Sequence, residues 1–394
     1  MRDPDSELNQ LKEQHLLRAL DQGINRPLDT AEIVRDRFLD FSSNDYLGLA
    51  DHSKLKTAAI QATENFGVGS RASRLLRGGS PIHSELEKYT AQFLGTEASL
   101  YFANGYATAL GTLTAILTKG DTVILDKKCH ACLIDGARLS GATIRVFPHN
   151  NLKKLETLLI SAHAKSSSES RILIITESVF SMDGDSAPLR EIIDLKKKFK
   201  ALLLVDEAHA LGILGKNGRG LCHCENAPGS VDLRMATFGK AAGSAGGVVA
   251  ASSEWIDLIT NKARSFIYST APPHAQAAAA LAGLHIITGP EGDHLRQSLS
   301  ENIRLLCEKL SIKTPPAAIV PLILGEETNA LEASEHLRKS GCIVPALRYP
   351  TVARGKARLR VSLSAAHTTE QIAELAANLS LLLNTGKFTL ASGD

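Results

Sequence analysis

The sequence predicts an α/β fold with a mainly parallel sheet in a large domain, followed by a smaller α+β C-terminal domain. Three observations predict it. Six short runs read as strands: TVILD (122–126), TIRVF (143–147), RILIITE (171–177), ALLLVDEA (201–208), MATFG (235–239) and GGVVAAS (246–252). Most are continuously apolar, as strands covered on both faces by helices are. About 15–30 residues of helical pattern separate them, which implies βαβ crossovers. At 394 residues the chain also exceeds one average domain of roughly 150 residues.

The elements follow in order. Residues 6–22 place Leu8, Leu11, Leu16, Leu17 and Leu20 among charged positions at helical spacing, the mark of an amphipathic arm. An N-terminal arm and helix is expected over 1–49 and the large domain over 50–285. The remainder, 286–394, alternates helix-like stretches (292–309, 330–340) with strand-like ones, AIVPLIL and RLRVSL.

The apolar share of 44% is ample for a buried core, and the net charge of +2 is spread along the chain. That balance argues against nucleic-acid binding. The polar N-terminus lacks the layout of a signal peptide, and no apolar run approaches the ~20 residues of a membrane span, so a cytoplasmic protein off the membrane is expected. Six cysteines in so long a chain suggest reduced thiols. Cys129 and Cys132 flank His130, and Cys222 and Cys224 flank His223, but the spacing does not suit a structural zinc site, so no metal is expected.

In a parallel sheet, ligands gather beyond the carboxyl ends of the strands. There the run LLLVDEAHALG delivers Asp206, Glu207 and His209 out of an apolar stretch. A helicase class carries the same DEAH letters, but it also needs a GxxxxGK[ST] phosphate loop. The four Gly-Lys pairs here are followed by Asn217, Ala241, Ala357 and Phe388, so none completes that loop. A carboxylate leaving a buried strand calls for a cation, and a protonated pyridine nitrogen is one. Lys240, in TFGKAAGSAGG, sits among small residues that would admit a planar ring, and a lysine in such a pocket can form an imine with an aldehyde. Alone, it would read as a solvated side chain. Gly105 and Tyr106 at a helix start offer N–H groups to an anion, and Thr237 offers a hydroxyl. His130 is a candidate to stack on the ring, although a lone histidine is more often structural.

Together these segments resemble the α-oxoamine synthases, pyridoxal-phosphate enzymes of the aspartate aminotransferase fold type. The likeness rests on FSSNDYLGL, SRLLRGGSPIHSELE, HACLIDGARLSGA, ESVFSMDGDSAPL, VDEAHALGILGKNGRG, TFGKAAGSAGG, IYSTAPP and ARLRVSLSAAHT, in that order. It implies pyridoxal 5'-phosphate held as a Schiff base on Lys240, with Asp206 on the pyridine nitrogen, His209 at the ring oxygen and His130 on the ring face. It makes Gly105, Tyr106, Thr237 and Ser178 further cofactor contacts. Arg360 with Asn44 would clamp the amino-acid carboxylate, Arg18 and Thr351 would touch substrate, and Ser269 and Thr270 would reach the partner subunit's phosphate in a homodimer with its site at the interface. The implied reaction is a decarboxylative condensation of L-alanine with a pimeloyl thioester, carried on CoA or on acyl carrier protein. Siblings join glycine or serine to other acyl groups, and a scaffold subunit of the same fold would lack the lysine. Arg71 and Ala72 stand where relatives carry glycines and serine, and Arg77 replaces a small or polar residue, a departure that would favour a phosphorylated acyl carrier.

Overall fold

The computed structural model describes residues 3–18, 38–225 and 228–384, so residues 19–22 of the expected arm lie outside it. In chain order the first strands are β1 (Leu39–Asp40), β2 (Ala98–Phe102), β3 (Thr122–Asp126), β4 (Thr143–Phe147), β5 (Ile172–Glu177) and β6 (Leu202–Asp206). Then come β7 (Leu233–Thr237), β8 (Gly247–Ala251), β9 (Ile319–Gly325), β10 (Cys342–Ile343), β11 (Ala346–Leu347) and β12 (Ala357–Ser362).

Residues divide into two compact units, 44–181 with 185–299, and 1–43 with 182–184 and 300–394. The first unit is built on a seven-stranded sheet of order β2-β8-β7-β6-β5-β3-β4. Strands β4, β3, β5, β6 and β7 run parallel, while β8 pairs antiparallel with both β7 and β2. β5 is buried along its whole length, as its run of isoleucines and leucine requires. β4 lies at an edge, and its exposed Arg145 discourages pairing with another chain. One core cluster joins the sheet to the helix Gly105–Ile116 and the helix Ala131–Ser140. These two helices approach closely because a Cβ on Gly136 would meet Leu113 at 2.8 Å. The helix His274–Thr288, rich in alanine, is buried over most of its length.

The second unit carries a three-stranded antiparallel sheet, β11-β12-β9. Helices Glu327–Lys339 and Thr369–Asn384 belong to it, and β1 pairs in parallel with β10. That pairing is why residues 38–43 cluster with the C-terminal part of the chain rather than with the sheet that follows them in sequence. The N-terminal helix is shorter than its leucine spacing suggests. It spans Pro4–Glu13 and stops where His15 takes a left-handed conformation (φ 56°), with Leu8 and Leu11 exposed. Among the described residues no helix is long and apolar enough to cross a membrane.

Candidate active site

Four parallel strands of the first unit end in polar residues: Asp126 on β3, Glu177 on β5, Asp206 on β6 and Thr237 on β7. Each caps an apolar strand, so the sheet itself gathers them on one edge. Glu177 and Asp206 are direct neighbours in register, and both are buried. The Asp206 carboxylate accepts the Ala208 N–H at 2.9 Å, and its carbonyl accepts both the N–H and the hydroxyl of Ser178. Burial pushes the Asp206 carboxyl above its ordinary value, against the pull of the Lys240 charge. Glu177 is raised for the same reason, reinforced by the charge of Asp206.

Lys240 follows β7 in a turn closed by the Gly243 N–H to the Lys240 carbonyl, 2.9 Å. Gly243 has φ +67°, and a Cβ there would stand 2.5 Å from the Leu49 carbonyl carbon, so the turn needs this glycine twice over. The small residues around Lys240 therefore serve protein packing to a large extent. A Cβ on Gly246 would collide with the Tyr101 ring at 2.1 Å, and one on Gly283 with the Ala242 carbonyl at 2.3 Å. Gly239 differs, since its nearest neighbours leave room for ordinary contact.

The Lys240 Nζ lies 2.9 Å from His209 Nε2, and His209 Nδ1 lies 2.7 Å from the Tyr46 hydroxyl. Tyr46 in turn donates to Asn44 Oδ1 at 3.0 Å. His209 and Tyr46 are buried. His130 caps the helix Ala131–Ser140, where its Nδ1 accepts the Cys132 N–H, and its backbone N–H donates to Glu177. Desolvation lowers His130 below its ordinary pKa and Lys240 adds to this, while Asp206 opposes it. Gly105 opens its helix facing Thr237, so that a Cβ would sit 3.7 Å from the threonine Cβ. The Thr237 hydroxyl donates to the Gly246 carbonyl at 2.7 Å and accepts the Gly239 N–H. Tyr106 is half exposed and its hydroxyl bonds Asp135, which raises its pKa.

Glu207 has a different role from its sequence neighbours. It is fully buried and pairs with Arg234 at 3.0 Å, while its oxygens also accept the N–H groups of Leu221 and Cys222. These bonds tie down the segment that follows Asp206 and carries His209. Sequence reasoning missed Tyr46, Glu177 and Arg234. Tyr46 carried no signal of its own inside NDYLGL, but the strand-end rule that singled out Asp206 applies equally to Glu177.

The remaining candidates belong to other elements. Arg360 on β12 is buried in the second unit and donates to Ser362 at 2.7 Å. Arg18 donates to Thr351 at 3.1 Å in that same unit. Arg358, two residues before Arg360 on β12, is committed to Asp183 at 2.8 Å and to the Met182 carbonyl. Thr270 bridges to Ser73 in the first unit, and Arg71 and Arg77 are exposed there. All six cysteines are free thiols.

The sequence profile of aminotransferases of class I and II matches residues 36–379. The chain belongs to that family. It is 43% identical over 371 residues to a protein of Geobacter sulfurreducens named 8-amino-7-oxononanoate synthase, covering 92% of this chain and 93% of that one. It is 44% identical over 374 residues to an 8-amino-7-oxononanoate synthase 1 of Polaromonas sp., covering 91% of each. Among solved structures, a serine palmitoyltransferase from S. paucimobilis with PLP and myriocin bound superposes with a TM-score of 0.88 at 29% identity, covering 98% of this chain and 99% of that one. The 8-amino-7-oxononanoate synthase of Francisella tularensis gives 0.75 at 28%, covering 89% and 98%. The family member described here thus shares its fold with enzymes of both kinds.

Proposed function

We propose that this chain condenses L-alanine with a pimeloyl thioester, on CoA or acyl carrier protein, releasing 8-amino-7-oxononanoate, carbon dioxide and the free thiol in biotin biosynthesis. The observation that carries the reading is the placement of the Lys240 amine against His209 on the sheet edge that also bears the buried Asp206. Pyridoxal phosphate fits these residues. A buried carboxylate next to a lysine suits a cationic ring nitrogen, and the open flank of Gly239 with the helix start at Gly105 suits a phosphate. When bound, the cofactor supplies an electron sink for the carbanion formed at the amino-acid α-carbon.

The chain's own residues do the rest. Lys240 Nζ holds the cofactor and takes the substrate α-proton, returning one at the end. Asp206 would keep the ring nitrogen protonated, His130 would cover the ring face, and His209 would contact the ring oxygen. Gly105, Tyr106, Thr237 and Ser178 would hold the cofactor. Arg360 and Asn44 bind the alanine carboxylate, since a guanidinium fork matches its two oxygens, and Arg18 and Thr351 meet substrate. The enzyme works in the cytoplasm as a homodimer, with Ser269 and Thr270 reaching the partner's phosphate site.

The superposition on serine palmitoyltransferase favours a second reading, the joining of serine or glycine to another acyl group. Identity above 40% to the synthases, against 29% to that transferase, supports the first. Assays of alanine, glycine and serine against acetyl, succinyl, palmitoyl and pimeloyl thioesters decide between them. Turnover with alanine and the pimeloyl thioester is expected, and a preference for another pair would overturn the assignment.

A further inference from the structure

Tyr46 has no part in the scheme above, yet it is buried at 1% exposure and its hydroxyl links Asn44 to a hydrogen-bonded chain that begins at Lys240. The polarity of that chain follows from its far end. Tyr46 donates its only hydroxyl proton to Asn44 Oδ1, so toward His209 its oxygen can act only as an acceptor. His209 Nδ1 must then carry a proton. In a neutral imidazole the other nitrogen, Nε2, is left with its lone pair facing Lys240 Nζ at 2.9 Å.

We infer that Tyr46 is a positioning residue that fixes His209 as the Nδ1–H tautomer and so makes Nε2 the acceptor of the Lys240 proton. The inference rests on the cofactor chemistry proposed above for its consequence, though not for the tautomer itself. When an aldehyde arrives, one N–H bond breaks at Lys240 Nζ and one forms at His209 Nε2. Lys240 becomes the neutral amine that can attack an aldehyde, and His209 becomes an imidazolium whose Nδ1–H stays bonded to the Tyr46 oxygen. The same transfer turns Nε2 from an acceptor into a donor, which is what a contact with a ring oxygen requires.

Tyr46→Phe keeps the ring and removes the hydroxyl. Two measurements test the idea. On cofactor-free protein carrying ring-labelled [15N]histidine, with the His209 signals assigned by their loss in His209→Gln, the nitrogen shifts report the tautomer. The wild type is expected to show Nδ1–H and a bare Nε2, and Tyr46→Phe to shift His209 toward Nε2–H. A wild-type His209 that is protonated on Nε2 or on both nitrogens near neutral pH would overturn the inference, as would an unchanged tautomer in the variant. The second measurement follows the visible absorbance of bound cofactor after pyridoxal phosphate is added. It should rise on the order of tenfold more slowly in Tyr46→Phe, because the imidazolium loses a charge-assisted hydrogen bond; an equal rate counts against the proton transfer. A wild type that never develops the absorbance while His209 shows the expected tautomer defeats the cofactor reading and the transfer to Lys240, and leaves the tautomer assignment standing.

Discussion

Asp206 and Glu207 are adjacent carboxylates that the end of β6 turns to different uses. Asp206 stays beside Lys240 and His130, whose charges it feels, whereas Glu207 spends its charge on the buried Arg234 guanidinium. Asp206→Asn should keep the fold and lower turnover on the order of 100-fold, because an amide cannot hold a ring nitrogen protonated; steady-state rates near wild type would count against its role. Glu207→Ala should instead destabilise the protein by about 3–5 kcal/mol, since it strands a buried arginine. Denaturant unfolding that gives wild-type stability would refute this. Lys240→Ala should abolish the visible absorbance of bound cofactor, and Arg360→Ala should raise the KM for alanine roughly tenfold or more. At this scale the carboxylate and lysine at strand ends were legible because an apolar run followed by a charge is a local pattern. Partnerships such as Tyr46 with His209 and Glu207 with Arg234 were not, because each is made by residues distant in sequence that only the folded sheet brings together.

Among the elements, runs of branched apolar residues located β3, β4, β5, β6 and β8 nearly to the residue, and β7 two residues early of its expected place. β2 escaped. Its ASLYF run mixes polar Ser99 and Tyr101 with apolar residues, and it pairs only with β8 at the edge of the sheet. The antiparallel course of β8 was equally illegible, because strand direction leaves no mark on composition. Yet β8 shapes the floor of the candidate phosphate site. A Cβ on Gly247 would lie 2.4 Å from the Thr108 hydroxyl and 2.7 Å from the Gly105 Cα. Gly247→Ala should therefore force β8 away from that helix start, with a loss of about 1–3 kcal/mol in stability and weaker cofactor binding. Melting curves and cofactor titrations matching the wild type would show that the backbone has slack there.

For the molecule as a whole, stability should depend on pH through His149, which links Asp126 at 3.0 Å to Asp185 at 2.7 Å. Burial alone would depress its pKa, but the two carboxylates outweigh that and raise it to about 9. The folded protein thus holds this proton more tightly than the unfolded chain, whose histidine titrates near 6.5. The stabilisation is complete below pH 6.5 and fades as the pH climbs through 9. Unfolding of His149→Gln compared with wild type should show a gap that is wide at pH 6 and narrow at pH 10. A constant gap would dismiss the histidine as the cause. The large parallel sheet was readable from strand spacing, but a short pairing such as Leu39 with Cys342 was not, because its partners lie most of the chain apart.

That pairing bears on the order of events during synthesis. As the polypeptide emerges from a ribosome, the segment around Leu39 has no strand to join until Cys342 and Ile343 have been made, by which time the seven strands of the large sheet are already outside. A nascent chain stalled near residue 300 should therefore protect the strand ends around Asp206 from proteases while leaving the segment around Leu39 open to cleavage.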